Sequence, residues 1–356
     1  MLRNVIGLFV FSIALAVSVG HVTPAQAQSR LVQAPAQAPA KGQTPAVPVQ
    51  TPKELTLGSF KSASLWPIWA AQHQGMFQGL DLKKVYPADS AAQMIGLIQG
   101  RFDVVITALD DVIAYAEGEG GPRPRRNADL IAFLGVDNGG LSLIARPEIQ
   151  GLVELKNRTL AVDAIGSALS FVLREIFARE FFTTNYYKVV ALGNASARWE
   201  ALRENKVAAT LLMPPFSDVA LAQGYNLIGN IAAMLRGYQG GVAAARRDWA
   251  VANADSVTSF IRGYRAGLDW LKAPANRAAA LDILRREMPE TTPATAEEDY
   301  GSLIVNPQGF NPGGRIDAAG ARRVFELRRR YGPQGKPAPD IGGFIDDSYF
   351  QRAIRP

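Results

Sequence analysis

The 356-residue chain contains no cysteine and only two histidines, His21 and His73. The lack of cysteine excludes disulfide bonds and a lipid-anchored cysteine, and it leaves too few side chains for a zinc site. The sequence also lacks a Gly-x-Ser-x-Gly turn and a phosphate-binding Gly-x-x-x-x-Gly-Lys-Ser/Thr loop. His73 stands at a predicted helix end, where the helix dipole favours it. We therefore expect no enzymatic activity, no metal and no cofactor.

Clustered positive charge is scarce as well. The formal net charge is +6, but the basic residues are scattered apart from two short runs, at 123–126 and 328–330. Neither run has interleaved aromatic residues, so both indicate solvated surface rather than a nucleic-acid site.

The N-terminus is typical of an exported protein. Arg3 precedes an apolar run at 5–19, and Ala25-Gln26-Ala27 forms a small-x-small cleavage site. The run is shorter than the roughly 20 residues that a membrane-spanning helix needs. We expect cleavage after Ala27, a mature chain that starts at Gln28, and a periplasmic location.

Residues 28–52 are rich in Ala, Gln and Pro and have no aromatic residue, which indicates a flexible tether. The rest of the chain, about 300 residues, is more than one core usually serves, so two lobes are expected.

The first part of the chain alternates strand and helix patterns. Strands are predicted at 54–58, 82–86 and 102–107, and helices at 65–74, 91–99 and 112–117. Asp110 or Asp111 is the predicted cap of the third helix. The β-α-β-α-β-α order predicts a mainly parallel sheet covered by helices.

A second strand-turn-helix unit begins in the middle of the chain. Residues 159–162 form a short apolar strand pattern, 163–167 a turn, and helical spacing starts at Ala168. Such a turn lies at the carboxyl edge of an α/β sheet, where ligands bind. The alternative is a plain turn in which Ser167 or Asp163 is only the helix cap.

Two glycine-rich stretches, 137–140 and 237–241, are each flanked by strand patterns. They predict crossings between the lobes that could serve as a hinge, although ordinary turns fit them equally. After residue 253 the patterns are helical, and we expect these helices to pack on lobe 1.

Several segments together resemble a known family. They are Gln-Gly-Met-Phe at 74–77, Leu-Ile-Gln-Gly-Arg-Phe-Asp-Val-Val-Ile at 97–106, Leu-Val-Glu-Leu-Lys-Asn-Arg-Thr-Leu-Ala-Val-Asp at 152–163, and Ala-Leu-Arg-Glu-Asn-Lys-Val-Ala-Ala-Thr-Leu at 201–211. Their order over residues 55–288 resembles the substrate-binding proteins of ABC importers, in the nitrate, taurine, alkanesulfonate and thiamine-pyrimidine receptor branch (NMT1/THI5-like, SsuA-like).

The resemblance implies an α/β, two-lobed, type II periplasmic binding protein fold, with a mainly parallel sheet flanked by helices in each lobe and a helical C-terminal block. It also implies a ligand cleft, closure on binding, and delivery of a small organic ligand to an inner-membrane permease. We place lobe 1 at 53–141, lobe 2 at 142–242 and the return to lobe 1 with the C-terminal helices at 243–356, and we expect a monomer. Two alternatives remain: a pyrimidine-synthase-like enzyme of the same fold, against which the export signal argues, and an exported scaffold, in which the crossings would have no purpose.

The turns that follow the strands should line the cleft. The candidate ligand-binding residues are Phe60, Ser62, Trp66, Thr107, Asp110 and Asp111 from lobe 1, Asp163, Ser167, Ala168, Met213, Pro214 and Phe216 from lobe 2, and Asn138 and Gln239 at the crossings. Each has a structural alternative. Trp66 and Phe216 can fill a core, and Asn138 and Gln239 can satisfy backbone groups.

Two effects compete over the charge of the ligand. Helix N-termini at this edge favour an anion, whereas the carboxylates of Asp110, Asp111 and Asp163, opposed only by Lys61, repel one. We expect a ligand with amine or amide donors on a flat or apolar body, stacked near Phe60, Trp66 or Phe216. If the acids serve only as helix caps, an anion is favoured instead.

Overall fold

The computed structural model describes residues 52–120, 128–138, 140–183, 185–235, 237–307, 309–333 and 341–355. The expected signal peptide at 1–27, the tether up to residue 51 and the basic run at 123–126 lie outside the described residues. No helix in the described ranges has both the length and the apolar character needed to cross a membrane.

The described chain alternates ten strands with thirteen α-helices. The strands are β1 (Lys53–Gly58), β2 (Leu80–Val85), β3 (Val104–Ala108), β4 (Leu130–Gly135), β5 (Ser142–Ala145), β6 (Thr159–Val162), β7 (Lys188–Ala191), β8 (Ala209–Leu212), β9 (Asn226–Asn230) and β10 (Gly241–Arg246). The helices are α1 (Trp66–His73), α2 (Ser90–Ile98), α3 (Leu109–Ala116), α4 (Ala168–Arg179), α5 (Ala195–Arg203), α6 (Phe216–Ala222), α7 (Ile231–Leu235), α8 (Arg247–Ala252), α9 (Ala254–Lys272), α10 (Arg277–Glu287), α11 (Pro293–Asp299), α12 (Ala318–Tyr331) and α13 (Ser348–Ile354).

The first sheet has the strand order β2-β1-β3-β10-β4. Strand β1 is parallel to β2 and β3, with Leu55 opposite Leu82 and Leu57 opposite Val104. Strand β10 is antiparallel to both of its neighbours, β3 and β4. Four strands therefore point the same way, and their carboxyl ends meet at one edge. This sheet and its helices are lobe 1.

The second sheet repeats this plan with the order β7-β6-β8-β5-β9. Strand β6 is parallel to β7 and β8, while β5 is antiparallel to β8 and β9. Strand β8 is buried along its whole length, as expected for a strand covered by helices on both faces. This sheet and its helices are lobe 2.

Two chain crossings connect the sheets, because β4 leads to β5 and α7 leads back to β10. At the return crossing, Gly237 adopts φ +104°, a torsion that L side chains rarely allow. Gln239 is fully buried, and its Nε2 donates to the carbonyl oxygens of Asp137 at 3.0 Å and Gly241 at 2.9 Å. Its Oε1 accepts from the Asp317 backbone at 2.8 Å. The amide thus ties both crossings to the C-terminal chain.

Most of the C-terminal helices pack on lobe 1, as expected. Helix α9 lies against α1, where a Cβ on Gly267 would come within 2.1 Å of the Pro67 carbonyl oxygen, and α13 packs on α9. Helix α12 departs from this expectation because it contacts both α4 of lobe 2 and α3 of lobe 1. Its buried residues Ala321, Val324 and Leu327 belong to the same apolar cluster as residues of α4.

Candidate functional site

In lobe 1, strand β3 leads directly into helix α3. The N-cap residue, Ala108, makes no side-chain cap, and the backbone N–H of Leu109 donates to the Gly240 carbonyl oxygen at 3.0 Å. The prediction that Asp110 or Asp111 caps this helix is therefore wrong. Both acids lie in the first helical turn, where their carboxylates are free to meet other partners.

Asp110 is only 2% exposed and faces helix α12. Its Oδ1 lies 3.0 Å from Nε of Arg328, whose Nη1 donates to Glu119 at 3.2 Å. The Arg328 guanidinium also lies 5.6 Å from the centre of the Phe171 ring in α4. Burial raises the pKa of Asp110 to about 7, against the opposite effect of Arg328. Asp110 thus belongs to an ion-pair network that joins α3 to α12.

Asp111 points to different partners although it is the next residue. Its Oδ2 accepts hydrogen bonds from the hydroxyl groups of Ser90 and Thr107, both at 3.0 Å. Its Oδ1 accepts no hydrogen bond within the described parts of the chain. Burial, followed by the charge of Asp163, raises the pKa of Asp111.

In lobe 2, the turn after β6 brings a third acid to the same place. Ser167 is the N-cap of α4, and its Oγ accepts from the Ser170 backbone at 3.4 Å, which confirms one of the two predicted caps. The Ser167 hydroxyl also donates to Oδ1 of Asp163 and to the Ala164 carbonyl oxygen. Asp163 is therefore a partner of the cap and is not the cap itself.

A buried cation lies behind Asp163. Arg198 donates from Nη1 to the Gly193 carbonyl oxygen and from Nη2 to that of Leu211 at 3.3 Å. Burial lowers the pKa of Arg198, and the charge of Asp163 opposes that effect. The guanidinium is thus within electrostatic reach of the site, but two backbone carbonyl groups hold it.

The acids of the two lobes converge around the return crossing. Tyr238 is 5% exposed, and its pKa is raised well above its ordinary value by burial and then by Asp110, Asp111 and Asp163. Asp111 of lobe 1 and Asp163 of lobe 2 therefore lie within electrostatic reach of each other, with Thr107 bonded to Asp111 and Ser167 bonded to Asp163.

The sequence reasoning missed a residue at this edge, Gln93. It is fully buried on α2, and its Nε2 donates to the carbonyl oxygens of Gly58 at 3.1 Å and Ile106 at 2.9 Å. Two carbonyl partners require the nitrogen on that side, so the amide orientation is fixed. Its Oε1 is buried without a hydrogen-bond partner. The sequence did carry a signal for Gln93. It lies four positions before the apolar residue Leu97, and this spacing places a polar side chain on the buried face of the helix.

The other lobe 1 candidates differ in exposure. Phe60 is 37% exposed and Ser62 is partly buried. Trp66 is fully buried, its Nε1 donates to the Ala280 carbonyl oxygen at 3.1 Å, and its ring meets Tyr300 edge-on at 5.9 Å. This placement corresponds to the alternative in which Trp66 fills the core of lobe 1.

The remaining lobe 2 candidates lie around the starts of α4 and α6. Ala168 is buried as the first residue of α4. Met213 and Phe216 are partly buried and pack against apolar clusters, and Pro214 is partly exposed before a cis peptide bond to Pro215. These residues shape the wall of lobe 2 more than they offer polar groups.

The two candidates at the crossings have different surroundings. All the hydrogen bonds of the Gln239 side chain described above go to the crossings and the C-terminal chain, which corresponds to its structural alternative. Asn138 donates its backbone N–H to the Gly309 carbonyl oxygen at 3.2 Å, while its Oδ1 is buried without a partner. Asn138 therefore keeps an unfilled acceptor.

A second acid pair, also missed in the sequence, joins lobe 2 to the C-terminal helices. Asp218 lies in the first turn of α6, and Asp299 ends α11, which packs against α6. Asp299 is fully buried, and neither of its oxygens has a hydrogen-bond donor, since its neighbour is another carboxyl group. Burial and then Asp218 raise the pKa of Asp299 to about 9. In the described ranges, no group of three His, Cys, Asp or Glu side chains could hold a metal ion.

Comparison with solved structures gives the fold its context. The chain is similar to the ligand-binding component of an ABC-type import system from Staphylococcus aureus, a structure with zinc bound, with a TM-score of 0.70 and 13% identity over 85% of this chain and 100% of that one. It is similar to the alkanesulfonate-binding protein SsuA from Xanthomonas axonopodis pv. citri bound to MOPS (TM-score 0.64, 19% identity, 79% and 94% covered). It is also similar to the nitrate-binding protein NrtA from Synechocystis PCC 6803 (TM-score 0.66, 12% identity, 84% and 88% covered).

No protein-family model and no curated protein sequence matches the chain. At identities this low, the solved structures establish the architecture and leave the ligand open. They are mainly binding proteins rather than enzymes. Together with the two sheets and their strand orders, they confirm the expected resemblance at the level of the fold: the chain has the two-lobed, type II α/β fold of periplasmic binding proteins.

Proposed function

We propose that this chain is an exported solute receptor. It binds a small organic molecule between its two lobes and delivers it to an ABC-type importer of the inner membrane. The observation that carries the proposal is that Asp111 of lobe 1 and Asp163 of lobe 2 follow strands β3 and β6 at the carboxyl edges of the two sheets, within electrostatic reach of each other. Ligands bind at this edge in open α/β sheets.

The chain connections support a receptor that closes on its ligand. The crossings are short, and the return crossing includes Gly237 in a glycine-favouring torsion. Since a ligand between two lobes contacts both only when they approach, binding would favour the closed arrangement. The similarity to ligand-binding components of importers supports the transport role.

The other parts of the proposal come from the sequence. The N-terminal series of Arg3, the apolar run at 5–19 and the site at 25–27 supports export and a mature chain that starts at Gln28. We propose a monomer with a permease as the macromolecular partner. Its lobes and C-terminal helices follow the boundaries given above, except that Gly241 and Val242 belong with β10 to lobe 1.

A thermal-shift screen of the mature chain against small nitrogen and sulfur compounds tests the proposal. A true ligand at a hundred times its dissociation constant should stabilise the fold by about 2.7 kcal/mol. With a compound that does so, small-angle scattering should show a smaller radius of gyration than without it. An unchanged radius at saturation would argue against closure, and a complete absence of stabilising compounds would argue against a receptor.

A further inference from the structure

Four side-chain oxygens on residues that follow strands at the carboxyl edges of the sheets lack a hydrogen-bond partner in the described chain. Asp111 Oδ1 and Asp163 Oδ2 accept no hydrogen bond within the described chain, and the side-chain oxygens of Gln93 and Asn138 are buried without partners. Carboxylate and amide oxygens can only accept. Gln93 adds an observation independent of the acids, because it is fully buried and its nitrogen is held by the ends of β1 and β3.

The donors of the same region are largely used within the protein. Arg328 is engaged by Asp110 and Glu119, and Arg198 donates to two backbone carbonyl groups, while its buried Nε has no partner. The first amide of α3 donates to the return crossing, so this helix end offers one donor fewer to an anion. The charged side chains that could donate are therefore mostly engaged within the protein, whereas the four acceptors are not.

The charges point in the same direction. Asp110 and Glu119 share Arg328, while Asp111 and Asp163 have no ion-pair partner in the described ranges. Lys61 is exposed on the loop after β1, and two backbone carbonyl groups hold Arg198 behind Asp163, so neither cation is paired with Asp111 or Asp163. Burial and Asp163 together raise the pKa of Asp111, as expected when a carboxylate lacks a counter-ion.

We infer that the solute taken between the lobes is an organic cation, whose N–H groups bridge Asp111 of lobe 1 and Asp163 of lobe 2. The inference rests on the proposed function, since it names the class of ligand for that same site. An ammonium group supplies both the positive charge and the donors that the site lacks. Because its two main partners belong to different lobes, the same contacts would favour closure.

Probes that share one body and differ in the head group test the ligand class. Benzylamine, benzyl alcohol, benzoate and benzenesulfonate are titrated against the mature chain by thermal shift and calorimetry, with 1,4-diaminobutane as a second ammonium probe. The variants are Asp111→Asn and Asp163→Asn, which keep the side-chain shape. The matched control is Asp81→Asn, an exposed acid on β2 that pairs with Lys83 at 2.7 Å.

We expect the ammonium probes to raise the melting temperature and the two anions to leave it unchanged. Each site variant should weaken ammonium binding by roughly ten- to a hundredfold, as for the loss of a charged hydrogen bond, while Asp81→Asn should bind like the parent. Tighter binding of the anions, or ammonium binding that is indifferent to both variants, would overturn the ligand class and leave the receptor standing. If neither these probes nor the wider solute screen stabilises the chain, the receptor function is overturned as well.

Discussion

The buried pair of Asp218 and Asp299 should make the stability of this protein fall as the pH rises. In the folded chain, burial and the neighbouring acid raise the pKa of Asp299 to about 9, whereas an unfolded aspartate titrates near 3.8. The folded state therefore keeps a proton that the unfolded state releases. Stability from this pair is fully present below about pH 4 and is lost as the pH rises toward 9.

The size of the effect follows from the proton count. One proton held only by the folded state changes the free energy of unfolding by about 1.4 kcal/mol per pH unit. Between pH 5 and pH 8 the loss is therefore at most about 4 kcal/mol. The charge of Glu298 adds to the repulsion, and no cation is among the groups that shift this pKa.

Asp299→Asn tests this reasoning because an amide cannot ionise and can donate to Asp218. At pH 5 the variant should be about as stable as the parent, and at pH 8 it should be more stable, by up to about 4 kcal/mol. Thermal unfolding at several pH values measures the difference, because each kcal/mol of stability shifts the melting temperature by about 2–4 °C in domains of this order of size. Titration of Asp110 occurs in both proteins and cancels in the comparison.

Two further variants sharpen the test. Asp218→Asn should flatten the pH profile only in part, because it removes the effect of Asp218 on the pKa of Asp299 and leaves the larger effect of burial. Asp282→Asn, an exposed acid on α10, should leave the profile parallel to that of the parent. Parallel profiles for Asp299→Asn and the parent would refute the idea of a shared proton.

Two other predictions follow. Arg328→Met should destabilise the fold by about 3–5 kcal/mol at pH 8, because it leaves Asp110 buried and unpaired, and by less at pH 5, where Asp110 can take a proton. Unfolding curves at both pH values measure this loss, with Arg329→Met, at an exposed position, as the control. Equal losses at the two pH values would contradict the role of Asp110. Intact-mass measurement of a periplasmic fraction should give a chain that starts at Gln28, and a full-length chain in the cytoplasm would contradict export.

The regular elements were predictable from sequence because their signals are local. Apolar spacing predicted β6 and the start of α4, and Ser167 caps that helix. Gly75 and Gly100 adopt φ +66° and +78° just after α1 and α2, the torsion that favours glycine at a helix end. A few neighbouring residues decide each of these features, so the sequence window that encodes them is short.

Features decided by distant partners were not predictable in this way. At the start of α3, the backbone N–H of Leu109 donates to Gly240, which is far away in the chain. The position of α12 across both lobes depends on an apolar face that fits α4 as well as α3. Trp66 could face a cleft or a core by its spacing alone, and its contact with Tyr300 places it in the core.

Asp110 and Asp111 show most clearly why the site needs the structure. In the sequence they are two identical acids, and either could cap a helix or meet a ligand. Consecutive residues of a helix point about 100° apart, so one turns toward Arg328 in α12 and the other toward Ser90 and Thr107. Asp110 thereby faces a cation within the protein, whereas Asp111 accepts from two hydroxyl groups and has no ion-pair partner in the described ranges. The hydroxyl donors orient the Asp111 carboxylate without cancelling its charge, as the proposed organic cation requires.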